Sequence, residues 1–216
     1  MLKIWGRANS INVQKVMWAV GELDLPHERI DAGGRFGGID TPAFLAMNPN
    51  GRVPVIDDGG TIVWESNAIV RYLAARYGEG GLWVSDPAKR AASDQWMDWG
   101  ATDLQPAFIG GVFWNFYRTP EARRNWPAIR QSVARCAQLF QLLDKQLEGK
   151  LFPSGGDALT MGDIPTGALL YRYFQLEIER PSLPNTEAWY ARLCERPAYQ
   201  RHVMVPFDEL RGRQGF

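Results

Sequence analysis

The stretch from residue 48 to residue 73, NPNGRVPVIDDGGTIVWESNAIVRYL, contains the groups best placed to bind a ligand. Pro54 cannot donate to a β-ladder, so it belongs at the start or edge of a strand. If the Val53–Pro54 bond is cis, the Val53 N–H and C=O lie open to an extended peptide. Downstream, Ser66 is the expected N-cap of a helix whose first N–H groups favour a carboxylate. These features suit a short acidic peptide, and a plain hairpin and helix without a ligand is the alternative.

These groups are positioned by a first half in which strands and helices alternate. The predicted elements are a strand at 2–5, a helix over about 10–21, a strand at 27–30, a short helix from Thr41, a hairpin that turns at 57–60, and a helix from Ser66. The strand–helix–strand start should make its two strands parallel. The order βαβ-α-ββα predicts a four-stranded mixed sheet, which is the thioredoxin-like α/β plan.

The second half shows only helical patterns. We expect a thioredoxin-like domain at 1–79, a linker at 80–85 and an all-α domain at 86–216. Pro106 should kink or end the helix that follows the linker. Thr160 and Asp163 match a capping box, with Asp in place of the usual Glu, so another helix should begin there.

The composition argues against several classes of function. The 216 residues include 24 basic and 24 acidic side chains, so no strong field favours nucleic acid or an anionic membrane. The sequence has no apolar run long enough for a membrane span and no signal-peptide core at its start, so we expect a cytoplasmic protein. Cys136 and Cys194 form no C-x-x-C pair, which argues against a zinc site or a dithiol motif. We therefore expect no metal.

The segments NPNGRVPVI, ESNAI and RYLAARYG, all within residues 48–78, closely resemble the glutathione-binding half of the cytosolic glutathione transferases. The resemblance extends more thinly over nearly the whole chain and includes WYARLCERPAYQRHV near its end. It implies a thioredoxin-like N-terminal domain, an all-helical C-terminal domain and a homodimer. It also implies glutathione as co-substrate, without a metal.

By position, the resemblance assigns parts of the glutathione site. Val53, with Pro54 after it, would pair its backbone with the cysteinyl unit. Glu65 and Ser66 would hold the γ-glutamyl end. Arg52 lies where family members often place a basic residue near the glycyl carboxylate.

Three further charged residues are weaker candidates. Arg35, like Arg7, could meet one of the glutathione carboxylates, and a solvated loop arginine is the alternative for each. Asp103 lies where some family members place an acid near the glutathione amine, and a solvated carboxylate is the alternative. The second substrate would bind between the domains against aromatic side chains, for which the candidates are Trp99, Phe113, Trp114 and Tyr117.

Ser10 and Asn12, at the start of the first helix, are the candidates for the sulfur contact. A transferase of this family must favour thiolate over thiol, and a free thiol titrates near about 8.5. Lowering that pKa by one unit requires about 1.4 kcal/mol, and one charge-assisted hydrogen bond supplies about 1.5–3 kcal/mol. Theta-like members carry serine, any residue and proline here, whereas nu-type members carry threonine and, two residues on, asparagine. The sequence fits Ser10, Asn12 or both, with an N-cap and an exposed polar residue as the respective alternatives.

The resemblance predicts a detoxifying glutathione S-transferase whose bound thiolate attacks a small hydrophobic electrophile. One alternative is glutathione-dependent reduction of peroxides or disulfides, as in nu-type members. The other is a non-catalytic binding or interaction protein, since fold alone does not imply function. The intact Glu65-Ser66 pair and Ser10 favour an enzyme. No residue in the sequence selects the electrophile.

Overall fold

The computed structural model describes residues 1–215, of which the first part contains the sheet. Its strands are β1 (Leu2–Trp5), β2 (His27–Ile30), β3 (Val55–Asp58) and β4 (Thr61–Trp64). Its helices are α1 (Ile11–Glu22), α2 (Pro42–Met47) and α3 (Ser66–Tyr77), and a 3₁₀ turn, Gly34–Phe36, lies in the glycine-rich loop.

The strands form one four-stranded sheet in the order β2-β1-β3-β4. β1 pairs in parallel with β2, as the helical connection between them requires, and antiparallel with β3. The hairpin pairs β3 antiparallel with β4, with Ile56 opposite Val63. The predicted βαβ-α-ββα order and the mixed thioredoxin-like sheet are confirmed.

The second part of the described chain is helical, as predicted. It contains α4 (Pro87–Trp99), α5 (Trp126–Gln146), α6 (Ile164–Gln175), α7 (Pro184–Cys194) and α8 (Pro197–His202). Between α4 and α5 the chain winds as a π-helix over Gly100–Leu104 and Pro106–Arg118. Short 3₁₀ turns lie before α5 at Glu121–Arg123, before α6 at Met161–Asp163 and after α8 at Asp208–Leu210. The exact domain limits, 1–79 and 86–216, stay a prediction.

Pro106 was predicted to kink or end the helix after the linker, and the helix does not end there. Its winding widens at Gly100, ahead of the proline, and helical structure continues to Arg118. In a π-helix the hydrogen bonds run over five residues instead of four, so the proline ring is not forced against the carbonyl of an α-helical turn. A Cβ at position 100 would lie 3.0 Å from the Thr166 hydroxyl of α6, so glycine permits this close packing.

The capping box predicted at Thr160 and Asp163 is confirmed. The Asp163 carboxylate accepts hydrogen bonds from the Thr160 N–H at 2.7 Å and the Ser154 hydroxyl at 2.8 Å. Burial raises the pKa of Asp163, and these hydrogen bonds oppose that shift. The box fixes the start of α6, whose Arg172 donates to the Asn9 carbonyl oxygen at 2.6 Å. The second part of the chain is thereby connected to the loop that precedes α1.

α1 packs against both parts of the molecule. One face carries the predicted apolar stripe, which lies in a core shared with β1, β3 and α3 and consists of Val13, Val16, Met17 and Val20. The opposite face carries Ile11, Trp18 and Ala19 into the larger core of the helical part. The helix is therefore buried on nearly every side, which the sequence pattern did not indicate.

Trp18 is the main contact of α1 with the helical part. Its ring is fully buried and packs edge-on against Tyr199, with ring centroids 4.9 Å apart. Its indole N–H donates to Glu22 at 2.7 Å, and Glu22 accepts two further hydrogen bonds from Arg196 at 2.6 and 2.8 Å. These contacts hold α1, and with it the candidate site, in a fixed position against the helices.

Candidate active site

The main chain at Val53 is open just before β3. The Val53–Pro54 bond is cis, and β3 begins at Val55. None of the main-chain hydrogen bonds within residues 1–215 involves the Val53 N–H or C=O. A Cβ at Gly6 would lie 3.3 Å from the Val53 Cβ and 2.4 Å from Val13 Cγ2. Glycine at position 6 therefore lets the start of α1 approach the open Val53 edge.

Glu65 and Ser66 lie together at the start of α3, but their capping roles differ from the prediction. Ser66 is the first helical residue and is buried, and Glu65 is the N-cap. Glu65 has a φ of +69°, a left-handed conformation that typically costs about 1–3 kcal/mol in a residue with a side chain. This helix end combines the Glu65 carboxylate with free N–H donors, so it can hold an amine and a carboxylate at once.

Ser10 lies at the N-cap position of α1 without capping it. Its backbone is extended, with φ −82° and ψ 124°, and its side chain makes no capping hydrogen bond. The Ser10 carbonyl oxygen accepts from the Gln14 N–H at 2.9 Å, as an N-cap residue's carbonyl should. The hydroxyl has no hydrogen-bond partner in the described part of the chain, so it is available at the positive end of the helix.

Asn12 begins a chain of hydrogen bonds that connects α1 to the π-helical segment. Its Oδ1 accepts from the Gln105 Nε2 at 3.1 Å, and the Gln105 Oε1 accepts a short hydrogen bond from the Lys15 Nζ. Lys15 is only 1% exposed. Burial lowers the pKa of Lys15 to about 7, and the nearby negative charge of Glu65 opposes this shift.

Lys15 and Gln105 were not predicted as site residues. Lys15 lies off the apolar stripe of α1, where the sequence pattern predicts exposure to solvent. It is buried because the helical part covers that side of α1, and Gln105 lies 90 positions away in the sequence. The signal for Lys15 is its place in a helix that is otherwise almost fully buried. That burial is known only from the structure, so the sequence alone does not single out this lysine.

Lys15→Met is expected to stabilise the protein by about 1–4 kcal/mol near pH 7 and below. The folded-state pKa of Lys15, about 7, lies below its ordinary value of 10.5, so wild-type stability rises with pH between these values. The gain from the substitution should therefore shrink as the pH rises towards 10.5. Urea unfolding of both proteins at about pH 6 and about pH 9 measures this difference. A variant less stable than wild type at the lower pH would contradict it.

The other charged candidates have different surroundings. Arg52 is exposed next to the open main chain. Arg35, on the 3₁₀ turn, pairs with Glu209 at 2.9 Å, and Asp103 pairs with Arg135 of α5 at 3.7 Å. The structure therefore places Arg52 beside the candidate site, while Arg35 and Asp103 each have a partner in the same chain.

Glu209, in the C-terminal tail, is a further residue that the sequence analysis missed. It accepts a short hydrogen bond from the Asn9 side chain, 200 positions earlier, in addition to its pair with Arg35. Burial lowers the pKa of Arg7 in the same loop, and Glu209 opposes that shift. The tail thus packs against the loop that leads into α1. No local sequence pattern marks a contact over this separation.

The four aromatic candidates for the second-substrate site lie in different surroundings. Phe113 and Tyr117 are buried and stack with ring centroids 5.2 Å apart. Trp99 packs edge-on against Trp96, with a centroid distance of 4.9 Å. Trp114 is 37% exposed, and an arginine guanidinium lies over its ring. The structure therefore brings Phe113 and Tyr117 together and leaves Trp99 and Trp114 with other partners.

Comparison with known proteins agrees with these features. The family model described as the glutathione S-transferase N-terminal domain matches residues 6–81. The glutathione S-transferase GstB of Escherichia coli strain K12 is 45% identical over 208 residues, which cover 95% of this chain and 99% of that protein. The chain belongs to the glutathione S-transferase family.

One solved structure and one more distant sequence relative agree with this family assignment. The theta class glutathione S-transferase of the citrus canker pathogen Xanthomonas axonopodis pv. citri, with glutathione bound, is 47% identical with a TM-score of 0.90. The match covers 95% of this chain and 98% of that one. Glutathione S-transferase 3 of Zea mays is a more distant relative, 28% identical over 212 residues, which cover 94% of this chain and 93% of that protein. The predicted fold and family are confirmed.

The thiols of the described chain are not placed for nucleophilic chemistry. Cys136 and Cys194 are both free, and burial raises the pKa of Cys136 to about 12 and raises that of Cys194. Within residues 1–215 no group of three or more His, Cys, Asp and Glu side chains is arranged to hold a metal ion. The same residues include no helix with the length and apolar character needed to cross a membrane.

Proposed function

We propose that this glutathione S-transferase binds glutathione between the Val53 edge and the start of α3, and holds the sulfur at the start of α1. The single observation that carries the proposal is the Ser10 hydroxyl, which lies at the positive end of α1 and makes no capping bond. A hydroxyl donor at a helix N-terminus stabilises a thiolate relative to a thiol. The bound thiolate then attacks a small hydrophobic electrophile.

The residues around the sulfur position suit the rest of the tripeptide. The open Val53 N–H and C=O can pair with the cysteinyl backbone, with Pro54 following. Glu65 can accept from the γ-glutamyl ammonium, and Ser66 with the first N–H groups of α3 can hold the adjacent carboxylate. Arg52, exposed beside this edge, can meet the glycyl carboxylate. Each charged end of glutathione would therefore meet a complementary group.

The proposed reaction uses the thiolate as the nucleophile. A sulfur lone pair forms the C–S bond to the electrophilic carbon. In a substitution the leaving group departs with the bonding electrons, and in an addition the resulting carbanion takes a proton from water. Ser10 and Asn12 would donate hydrogen bonds to the sulfur, which raises the thiolate fraction at neutral pH. Among the aromatic candidates, Trp99 and Trp114 keep exposed surface that an apolar second substrate could contact, whereas Phe113 and Tyr117, which are 1% and 3% exposed, would support that site from the core.

We further propose a cytoplasmic homodimer that acts in detoxification. Ile62 and Trp64 on the edge strand β4, and Tyr77 at the end of α3, are all more than a third exposed. Exposed apolar side chains along a sheet edge favour a protein partner. Free cysteines suit a reducing compartment. Sedimentation equilibrium of the wild type, and of a variant with Trp64→Glu, tests the dimer.

Glutathione-dependent reduction of peroxides or disulfides is the second candidate. It is favoured by Asn12, whose Oδ1 is engaged by Gln105 while its N–H groups remain able to donate to sulfur. Nu-type family members carry asparagine at the corresponding place. Rates with an activated aryl halide and with an organic hydroperoxide, measured side by side, rank the two activities.

Glu65→Gln is expected to weaken glutathione binding by roughly 3- to 30-fold, because it replaces a charge-assisted hydrogen bond of about 1.5–3 kcal/mol with a neutral one of about 1 kcal/mol. Isothermal titration calorimetry of glutathione measures the effect. Glu148→Gln, which makes the same change at an exposed position after α5, is the matched control. If Glu65→Gln binds as wild type does, the γ-glutamyl end lies elsewhere, and if the wild type does not bind, a non-catalytic role is favoured.

A further inference from the structure

The buried cation that is linked to Asn12 through Gln105 has no evident role in folding. Lys15 is enclosed between α1 and the helical part, and its Nζ donates to the Gln105 Oε1. Glu65, at the start of α3, is the negatively charged residue of the first part of the molecule that favours the ammonium form of Lys15. A methionine would fill the same volume without the penalty of a buried charge. A role at the bound ligand would explain why a lysine occupies this place.

Lys15 determines the order of donors and acceptors in the hydrogen-bonded series Lys15–Gln105–Asn12. In its ammonium form Lys15 has only donors, so it then requires the carbonyl oxygen of Gln105 to face it. The Gln105 NH₂ must then face Asn12, where it donates to Oδ1 at 3.1 Å. Asn12 is consequently left with its own NH₂ as the free end of the amide. A bound thiolate also favours the ammonium form of Lys15, so the two charges support each other.

We propose that Lys15 and Gln105 are positioning residues that fix the polarity of the Asn12 amide, so that its N–H groups and not its carbonyl oxygen face the glutathione sulfur. This inference rests on the proposed function and assigns to that site two residues from outside its motifs. It also gives the second part of the chain a role in activating the thiol. Gln105 lies between the two π-helical segments, Gly100–Leu104 and Pro106–Arg118, so their unusual winding determines where its side chain is placed.

Gln105→Glu is the sharpest test, because a carboxylate can accept from Lys15 but cannot donate to Asn12. The Asn12 amide should then turn its NH₂ to Glu and its carbonyl oxygen to the sulfur. We expect the midpoint of the bound-thiol titration to rise by about one to two pH units, and by about one in Lys15→Met. Affinity for S-methylglutathione, which has no thiol to ionise, should change less than about threefold, because the ligand's other contacts remain.

A double-mutant cycle separates positioning from simple charge repulsion. If the effect passes through Asn12, then Gln105→Glu should raise the midpoint much less in an Asn12→Ala background. Gln95→Glu, which adds the same charge at an exposed position on α4, should leave the midpoint unchanged. Gln105→Glu keeps a partner for Lys15, so the test does not depend on the folding of Lys15→Met.

The outcomes distinguish this inference from the function on which it rests. A wild type that leaves the thiol at its ordinary pKa overturns the proposed function and the inference together. A wild type that lowers it, with Gln105→Glu and Lys15→Met unchanged in midpoint, overturns the inference alone. An equal rise with and without Asn12 assigns the effect to charge and also overturns the positioning role.

Discussion

Replacing Ser10 and Asn12 together by alanine should reduce kcat/KM for conjugation by roughly 10²-fold or more at neutral pH. Each side chain is placed to donate a charge-assisted hydrogen bond to the thiolate, and such bonds contribute about 1.5–3 kcal/mol each. The Ser10 hydroxyl makes no capping bond, so its removal should leave α1 intact. The loss should appear in the reactivity of the thiol and not in the affinity for glutathione.

The pH dependence of kcat/KM separates the two contributions. Each single variant should move the alkaline rise of the rate to higher pH, and the residue with the larger shift is the main sulfur contact. Ser85→Ala and Asn115→Ala, at exposed positions, are controls of the same chemical type. If both site variants keep the wild-type profile, the sulfur is activated by other groups and the proposed mechanism is wrong.

Trp18→Ala should destabilise the protein by about 3–5 kcal/mol, the typical range for removal of a buried tryptophan. The ring is fully enclosed, and a Cβ at Gly167 would lie 2.8 Å from its Cη2 atom, so the helices are fitted tightly around it. The substitution also removes the indole N–H from Glu22. Because Trp18 joins α1 to the helical part, glutathione binding should weaken along with the stability.

Urea unfolding followed by circular dichroism measures this loss. Trp126→Ala makes the same change at a residue that is 42% exposed, and it should cost less than half as much. Similar losses for the two variants would mean that the contact between α1 and the helices contributes little. A broad or two-step transition in Trp18→Ala would show that the two parts then unfold separately.

Local patterns were sufficient to predict the first half of the fold. The strands at Leu2–Trp5 and His27–Ile30 have the predicted bounds. Leu2–Trp5 is a short, mostly apolar run that ends at a glycine, and His27 follows Pro26, which cannot continue α1. The capping box before α6 was equally visible, since both of its side chains lie within four positions. The N-cap of α3 is Glu65 and not the predicted Ser66, and its positive φ is a conformation that the local preferences of a glutamate do not predict.

What the sequence did not reveal depends on contacts between distant segments. Lys15 is buried because the helical part covers its side of α1, and its partner Gln105 lies 90 positions away. The close packing of Gly100, where the π-helical winding begins, against Thr166 of α6 is likewise a contact between distant segments. The candidates for the second-substrate site were chosen only because they are aromatic. In the structure Trp99 packs against Trp96, whereas Phe113 stacks on Tyr117.

The most direct test of the central claim is an ultraviolet titration of the thiolate of glutathione bound to the wild-type protein. We predict a midpoint at least about one pH unit below that of a free thiol, which titrates near about 8.5. In that result the protein holds glutathione as an activated nucleophile. Bound glutathione that titrates at or above the free value would contradict the claim, because the groups at the start of α1 would then give the thiolate no advantage.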